Sequence, residues 1–236
     1  MNPIDLYSTR IQKTFDEDHN EILGILKANP KANLKLINYY KGLPLSYNAT
    51  IAGLDRGVLD LDVQPEQAFT IEHERYAFIR SPLFRFDLFA QAQYVNVRKH
   101  AASFVKFCYV EIMAERRNFL RLELDKALDA KIFANETSCS GKLHDISLSG
   151  LNIMLDDFSS IGKEAEASVS FRLTDLECNT PIDVNLPSRL VTISDDTRPY
   201  SYRFSISPDR YSERTISRYI FQRQIEIIRE IKDAVI

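Results

Sequence analysis

Arginines are concentrated in one short stretch near the middle of the chain. Arg116 and Arg117 are adjacent, and Arg121 follows Arg117 at a spacing of four residues. The planar guanidinium group can bind a phosphate, bond the O6 and N7 edge of a guanine, or stack on a purine, and lysine does none of these equally well. The stretch therefore indicates a local site for an anion. The alternative interpretation is a solvated boundary segment in which Glu111 and Glu115 form weak ion pairs with Arg116 and Arg117.

A second polar motif, Asp145-Ile146-Ser147-Leu148-Ser149-Gly150, follows later in the chain. The carboxylate of Asp145 can accept hydrogen bonds from the N1–H and N2–H₂ groups of a guanine, and Ser147 can add a hydroxyl group. Gly150 lets the backbone turn, or approach a ligand, without a Cβ clash. Asp, Ser and Gly are also the usual residues of an ordinary β-turn, which is the alternative interpretation. In the functional interpretation the two motifs supply hydrogen-bond donors and acceptors to one ligand.

Other reactive side chains give no catalytic or metal-binding pattern. His144 lies beside Asp145 but has no nucleophile or metal partner in the sequence, and the other histidines are scattered. The chain has no P-loop, GxGxxG, HExxH or GxSxG motif. Cys108, Cys139 and Cys178 are far apart and show neither a CxxC pair nor zinc spacing, which fits a reducing cytoplasm. We therefore expect a protein that is not an enzyme and binds no metal.

The composition is that of a globular protein with an ordinary core. Apolar residues make up 44% of the 236 residues and charged residues 27%, and the formal net charge is only −3. Because this charge creates no strong field, we expect no nucleic-acid binding, and any anion site must be local. No apolar run approaches the roughly 20 residues of a membrane helix, and the N-terminus lacks the pattern of a signal peptide. The sequence therefore predicts a cytoplasmic protein without membrane insertion.

The first half of the chain is predicted to be a small antiparallel β barrel or sandwich, from about Ala32 to Tyr109. Its apolar residues alternate at the start, and Leu54-Asp55-Arg56-Gly57 is typical of a hairpin turn. Two further strands are predicted by the aromatic and β-branched runs Phe69–Arg80 and Gln93–Arg98. A short helix, Asp16–Ala28, is predicted ahead of them because its apolar residues have helical spacing.

The second half is predicted to be another barrel of short strands that ends in a helix. The predicted strands are Ala130–Ala134, Lys142–Ile146, Leu151–Leu155, Ala167–Leu173, Val184–Ile193 and Tyr200–Ile206. Ser212 is a candidate N-cap of the helix. One stripe of the helix contains Ile216, Ile220, Ile227 and Ile231, and an adjoining stripe contains Phe221, Ile225 and Ile228. So wide an apolar face predicts packing on the barrel, and the alternative is that part of it meets the other domain or another subunit.

The two motifs together resemble those of the PilZ family. Members carry an RxxxR motif ahead of a six-stranded barrel and a [DN]xSxxG motif on an early strand, and both motifs occur here in that order and spacing. The resemblance covers about Ile112 to Ile236. Arg116 occupies the position before RxxxR, where an arginine in this family accompanies two stacked ligand molecules per domain. The resemblance implies a cyclic di-GMP site formed by Arg116, Arg117, Arg121, Asp145, Ser147 and Gly150.

A β domain ahead of this family's barrel resembles the architecture of YcgR-type flagellar brakes. The resemblance implies an all-β chain of two small barrels, a split-barrel-like domain over residues 1–111 and a PilZ barrel with a C-terminal helix over residues 112–236. It further implies a cyclic di-GMP receptor whose domains rearrange on binding and which controls flagellar motility through motor components. We expect a cytoplasmic monomer or homodimer that associates with the flagellar basal body. The alternatives are an adaptor that passes the cyclic di-GMP signal to a biosynthetic, secretory or biofilm partner, and a degenerate PilZ module that binds no ligand.

Overall fold

The computed structural model describes residues 7–11, 15–134, 137–175, 178–194 and 198–235. The chain divides into two compact units, of which the first contains Met1–Tyr40, Pro44–Asn118 and Ile228–Ile236, and the second Lys41–Leu43 and Phe119–Ile227. The domain boundary between residues 111 and 112 stays a prediction. Within the described ranges no helix is long and apolar enough to cross a membrane, and no group of His, Cys, Asp or Glu side chains could hold a metal ion.

The first unit is built on a seven-stranded sheet, which confirms the predicted β character of this half. The strands are β1 (Ser8–Arg10), β2 (Leu34–Tyr40), β3 (Leu43–Asp55), β4 (Val58–Asp62), β5 (Tyr76–Arg80), β6 (Asp87–Asn96) and β7 (Ala101–Ile112). Their order is β1-β7-β4-β3-β2-β5-β6, and β6 also pairs with β7, which joins the sheet back on itself. The unit also contains α1 (Phe15–Ala28) and α2 (Pro65–Glu74), and β7 continues into a 3-10 helix, Met113–Arg116.

Two tight turns with the same backbone conformation connect β2 to β3 and β3 to β4. Lys41 and Gly42 have φ angles of 51° and 81°, and Arg56 and Gly57 have φ angles of 47° and 81°. Positive φ at both central positions matches the twist of a two-residue hairpin, and glycine adopts it without a Cβ penalty. The hairpin predicted between β3 and β4 is therefore confirmed.

The prediction of a strand throughout Phe69–Arg80 is wrong over its first half. Pro65–Glu74 form α2, and β5 begins only at Tyr76. Pro65 stands in the first turn of the helix, where its fixed φ and missing N–H are tolerated. The helix ends at Arg75, which has the left-handed φ of 62°. A short apolar run suits either a helix or a strand, so the upstream proline was the better guide.

The second unit is a closed six-stranded barrel, as predicted. The strands are β8 (Leu122–Ala134), β9 (Thr137–Ile146), β10 (Gly150–Leu155), β11 (Glu166–Thr174), β12 (Pro181–Ser194) and β13 (Tyr200–Ile206). The barrel closes in the order β10-β13-β12-β11-β8-β9. Leu143, Ile153 and Tyr202 are among the side chains that are fully buried in this unit. The strand order places β8, β9 and β10 side by side, so the residue before β8 lies near the connection between β9 and β10.

The C-terminal helix α3 (Arg210–Ala234) is present as predicted, but its cap is not the predicted Ser212. The Oδ1 atom of Asp209 accepts a hydrogen bond from the Ser212 N–H at 2.7 Å, and hydrogen bonding from Ser212 lowers the pKa of Asp209. Ser212 already lies inside the helix. The four isoleucines of the predicted stripe are buried, whereas Phe221 and Ile228 of the adjoining stripe are 61% and 40% exposed.

Candidate functional site

The second polar motif forms the tight connection between β9 and β10. The N–H of Ser147 donates to the carbonyl oxygen of Gly150 at 2.9 Å, and the Ser147 hydroxyl donates to the same oxygen at 3.1 Å. The N–H of Ser149 donates to Ser147 Oγ at 3.4 Å. Ser147 is buried by this arrangement. Its side chain thus shapes the turn, and its direct contact with a ligand stays a prediction.

Arg121 and Asp145 form an ion pair across two neighbouring strands. Arg121 immediately precedes β8, and Asp145 is the last but one residue of β9. The Arg121 Nε atom lies 3.4 Å from Asp145 Oδ1, a separation typical of a charge pair and longer than a well-formed hydrogen bond. The side chain of Asp145 is 9% exposed and that of Arg121 is 25% exposed. Among the described residues Arg121 Nε donates no hydrogen bond, so the arginine keeps donor capacity beside a nearly buried carboxylate.

Gly150 occupies a position where a side chain would not fit. A Cβ atom there would lie 2.9 Å from the carbonyl oxygen of Phe204, 3.6 Å from Arg121 Nη2 and 3.8 Å from Ser147 Oγ. The glycine therefore lets β10 pass close to both β13 and the guanidinium group. Within the second unit the structure brings together four of the predicted site residues, Arg121, Asp145, Ser147 and Gly150.

Arg116 and Arg117 are described with the first unit, at the end of the 3-10 helix that follows β7. The side chain of Arg116 is 60% exposed and forms an ion pair with Glu111, the partner named in the boundary interpretation. Because exposed pairs contribute at most about 1 kcal/mol, Glu111 does not prevent Arg116 from binding an anion. Glu115 forms an ion pair with Arg80 instead, at 2.8 Å.

The surroundings of Arg117 include a buried tyrosine. The pKa of Tyr39 is raised to about 12, chiefly by burial and next by the charge of Glu115, whereas the charges of Arg117 and Arg80 act in the opposite direction. Arg117 therefore lies within electrostatic range of Tyr39, whose ring stacks on Tyr7 with 4.5 Å between centroids. Contact of Arg116 and Arg117 with a ligand stays a prediction.

One neighbour of Arg121 was not predicted from the sequence. The turn Lys41–Gly42 groups with the second unit, and a Cβ atom on Gly42 would fall well inside the contact distance of the Arg121 carbonyl oxygen. A lysine-glycine pair between two alternating runs is a recognisable turn signal. Such a signal does not indicate which distant backbone the turn will touch.

Several known proteins are similar to this chain at low sequence identity. An uncharacterized protein of Aquifex aeolicus (strain VF5) is 27% identical over 134 residues, which cover 54% of this chain and 59% of that protein. The match thus spans about three fifths of the length of this relative. The structure of the Bacillus subtilis inhibitor of motility (MotI/DgrA) is 13% identical, with coverage of 84% of this chain and 98% of that chain and a TM-score of 0.41.

Two further solved structures were obtained with a ligand. The structure of YcgR in complex with c-di-GMP from Escherichia coli is 18% identical, with coverage of 95% of this chain and 100% of that chain and a TM-score of 0.41. The K. pneumonia MrkH–c-di-GMP complex is 12% identical, with coverage of 94% and 99% and a TM-score of 0.44.

The family match is specific to one continuous segment. Residues 115–222 match the model of the family described as PilZ domain. The segment contains all six strands of the closed barrel, both polar motifs and the start of α3. The resemblance to the PilZ family seen in the sequence is thereby confirmed over residues 115–222.

Proposed function

We propose that the chain is a receptor for cyclic di-GMP. The observation that carries this proposal is the meeting of Arg121, Asp145 and Gly150 where β8 begins and β9 connects to β10. The ligand has two phosphodiester anions and two guanines, and each guanine has an acceptor edge and a donor edge. A guanidinium group beside a carboxylate, next to a glycine that leaves room, complements these groups.

Arg121 and Asp145 have different roles in the proposed complex. Arg121 binds a phosphate or the O6 and N7 edge of a guanine, because its guanidinium can donate two parallel hydrogen bonds. Asp145 accepts hydrogen bonds from N1–H and N2–H₂ of a guanine. The carboxylate is nearly buried and has little access to solvent. Hydrogen bonds that the ligand donates to it therefore stabilise its charge. Adenine does not present this donor pair, which makes Asp145 the proposed specificity residue.

Arg116 and Arg117 complete the proposed site. The support for this role is their position in the motif, within the segment that matches the PilZ family. Arg117 acts with Arg121 as the pair of RxxxR arginines, and Arg116 supports a second stacked ligand molecule. The like charges of the three arginines repel one another, and two phosphates per ligand compensate this repulsion. The proposed stoichiometry is two molecules per domain, as the resemblance to the PilZ family implies for an arginine at the position of Arg116.

Calorimetric titration of the full chain tests binding and stoichiometry together. We expect saturable binding of cyclic di-GMP, two molecules per chain, and no binding of cyclic di-AMP at the same concentrations. Arg117→Ala should lose roughly tenfold or more in affinity, because one charge-assisted hydrogen bond contributes about 1.5–3 kcal/mol. Absence of saturable heat with the wild-type chain would refute the receptor proposal.

The proposed consequence of binding is a change in the arrangement of the two units that controls flagellar motility, in the cytoplasm at the flagellar basal body. The support is the order of the units, because a β-rich unit ahead of the barrel resembles the YcgR-type brakes. Swimming speed at raised cyclic di-GMP tests this output in the host bacterium. Cells with the wild-type chain should slow, and cells with Arg121→Ala should not. Equal speeds would refute control of motility and leave the binding proposal to calorimetry.

A further inference from the structure

The turn Lys41–Gly42 connects two strands of the first unit but groups with the second. β2 ends at Tyr40 and β3 begins at Leu43, while residues Lys41–Leu43 belong to the second unit. Both turn residues have positive φ, 51° at Lys41 and 81° at Gly42. This short turn is therefore an element of the barrel unit that comes from a distant part of the sequence.

The turn is held against the residues that follow the second RxxxR arginine. A Cβ atom on Gly42 would overlap the Arg121 carbonyl oxygen and would lie 3.2 Å from both the Arg121 carbonyl carbon and Leu122 Cα. The N–H of Glu123 donates to the carbonyl oxygen of Lys41 at 3.1 Å. The obstacle is backbone in each case, so it cannot move aside as a flexible side chain would.

An ion-pair network holds the other side of the turn. Lys41 Nζ lies 2.9 Å from Asp125 Oδ1, and Asp125 Oδ2 accepts a hydrogen bond from Arg223 Nη2 at 2.6 Å. The side chain of Arg223 is only 12% exposed. Asp125 thus joins the turn to α3 within the second unit. The turn is therefore held both by its backbone contacts with residues 121–123 and by the side-chain ion pair of Lys41.

We propose that the turn Lys41–Gly42 positions Arg121 for ligand binding, an inference that rests on the proposed function. The main chain of Arg121 is held by close packing with Gly42, and this sets where its guanidinium meets Asp145 and Gly150. A binding group must be held within about 0.5 Å of its productive position. Gly42 is therefore a positioning residue, and displacement of the turn weakens ligand binding without any loss of a ligand-contacting side chain.

The chain offers a matched control for this inference. Gly42 and Gly57 both have a φ of 81° and both occupy the second position of a two-residue turn. A Cβ atom on Gly57 would meet only His19 Nε2 at 3.6 Å and Leu23 Cδ1 at 3.8 Å, which are ordinary contacts. Asparagine tolerates the left-handed conformation, so Gly42→Asn and Gly57→Asn differ chiefly in the overlap with Arg121.

Calorimetric titration of the two full-length variants with cyclic di-GMP gives the decisive comparison. We expect Gly42→Asn to lose roughly tenfold or more in affinity, since misplacement of a binding group by about 1 Å has effects of this size or larger. Gly57→Asn should bind like the wild type, and thermal unfolding should show that both variants are folded. Equal affinities of the two variants would overturn the inference. Failure of the wild type to bind would instead refute the proposed function, and the inference with it.

Hydrogen exchange of the wild-type chain provides a test without substitution, for the case in which Gly42→Asn does not fold. Coupling between two sites is reciprocal, so a ligand that restrains Arg121 must also stabilise the turn. The Glu123 amide, which donates a hydrogen bond to the Lys41 carbonyl oxygen, should exchange more slowly when cyclic di-GMP is saturating. The Asp175 amide, which donates a hydrogen bond to the Thr180 carbonyl oxygen at 2.9 Å, serves as the control, and its exchange rate should not change. Unchanged exchange at Glu123 would overturn the inference.

Discussion

Arg121→Ala should weaken cyclic di-GMP binding strongly while leaving the barrel folded. Arg121 Nε lies 3.4 Å from Asp145 Oδ1, and Nη2 lies beside Gly150, so the substitution removes the cation at the centre of the proposed site. A charge-assisted hydrogen bond contributes about 1.5–3 kcal/mol. At about 1.4 kcal/mol per factor of ten, loss of one such bond weakens binding roughly 10- to 150-fold.

The same substitution also affects the unliganded protein, because Asp145 loses its neighbouring charge. The side chain of Arg121 is 25% exposed and that of Asp145 is 9% exposed, so this ion pair is intermediate between an exposed pair and a buried pair. Exposed pairs contribute about 0.2–1 kcal/mol, and breaking a buried pair costs about 3–5 kcal/mol. We expect the free energy of unfolding to fall by about 1–2 kcal/mol, which a domain of ordinary stability tolerates.

Calorimetric titration and urea denaturation of the same samples separate the two effects. Arg172→Ala is the matched control because Arg172 lies in the same barrel, is 66% exposed and pairs with Asp183 at 2.7 Å. This variant has the same change in net charge but should bind cyclic di-GMP like the wild type. Arg121→Lys keeps the charge without the planar fork and should recover little of the lost affinity.

Two results would refute this reasoning in different ways. Wild-type affinity in Arg121→Ala, together with a loss of stability, would show that Arg121 and Asp145 are only a structural ion pair. An equal loss of affinity in Arg121→Ala and Arg172→Ala would show that the ligand responds to the overall charge of the barrel and not to a specific site.

Three further predictions concern specificity, mobility and pH. Asp145→Ala should bind cyclic di-GMP more weakly and discriminate less against cyclic di-AMP in calorimetry, and unchanged discrimination would reduce Asp145 to a turn residue. Trypsin should cleave after Arg116 or Arg117 more slowly with saturating cyclic di-GMP, because phosphates relieve the repulsion among the arginines; equal rates would argue against a ligand-ordered segment. Burial, the largest influence on Asp125, acts to raise its pKa, but Lys41 and a neighbouring arginine lower it overall. The stability advantage of the wild type over Asp125→Asn in urea should therefore be present at neutral pH and shrink below about pH 4, and an advantage independent of pH would contradict this assignment.

Local patterns with a fixed geometric period could be predicted from the sequence. The six barrel strands, the β3–β4 hairpin and the buried isoleucine stripe of α3 all follow from spacing along a few residues. The predictions are wrong where one pattern suits two structures. The predicted strand Phe69–Arg80 is helical as far as Glu74, and the predicted cap Ser212 lies inside α3, where Asp209 is the cap. In both cases the residue types are compatible with the predicted structure and with the observed one. The neighbouring residues, Pro65 and Asp209, decide which structure forms.

The sequence by itself determined the chemistry available to this protein: three arginines in an RxxxR context, an Asp-Ser-Gly motif, and their order in the chain. Side-chain chemistry is a local property, so it can be read residue by residue. Only the tertiary structure decided that Arg121 meets Asp145 and that Gly42 packs against the Arg121 backbone. These contacts join residues that are distant in sequence, and they depend on strand order and on the path of a turn. The family resemblance implied one shared site for Arg121 and Asp145, but no local pattern encodes the atomic contacts themselves, because they arise from the packing of the whole unit.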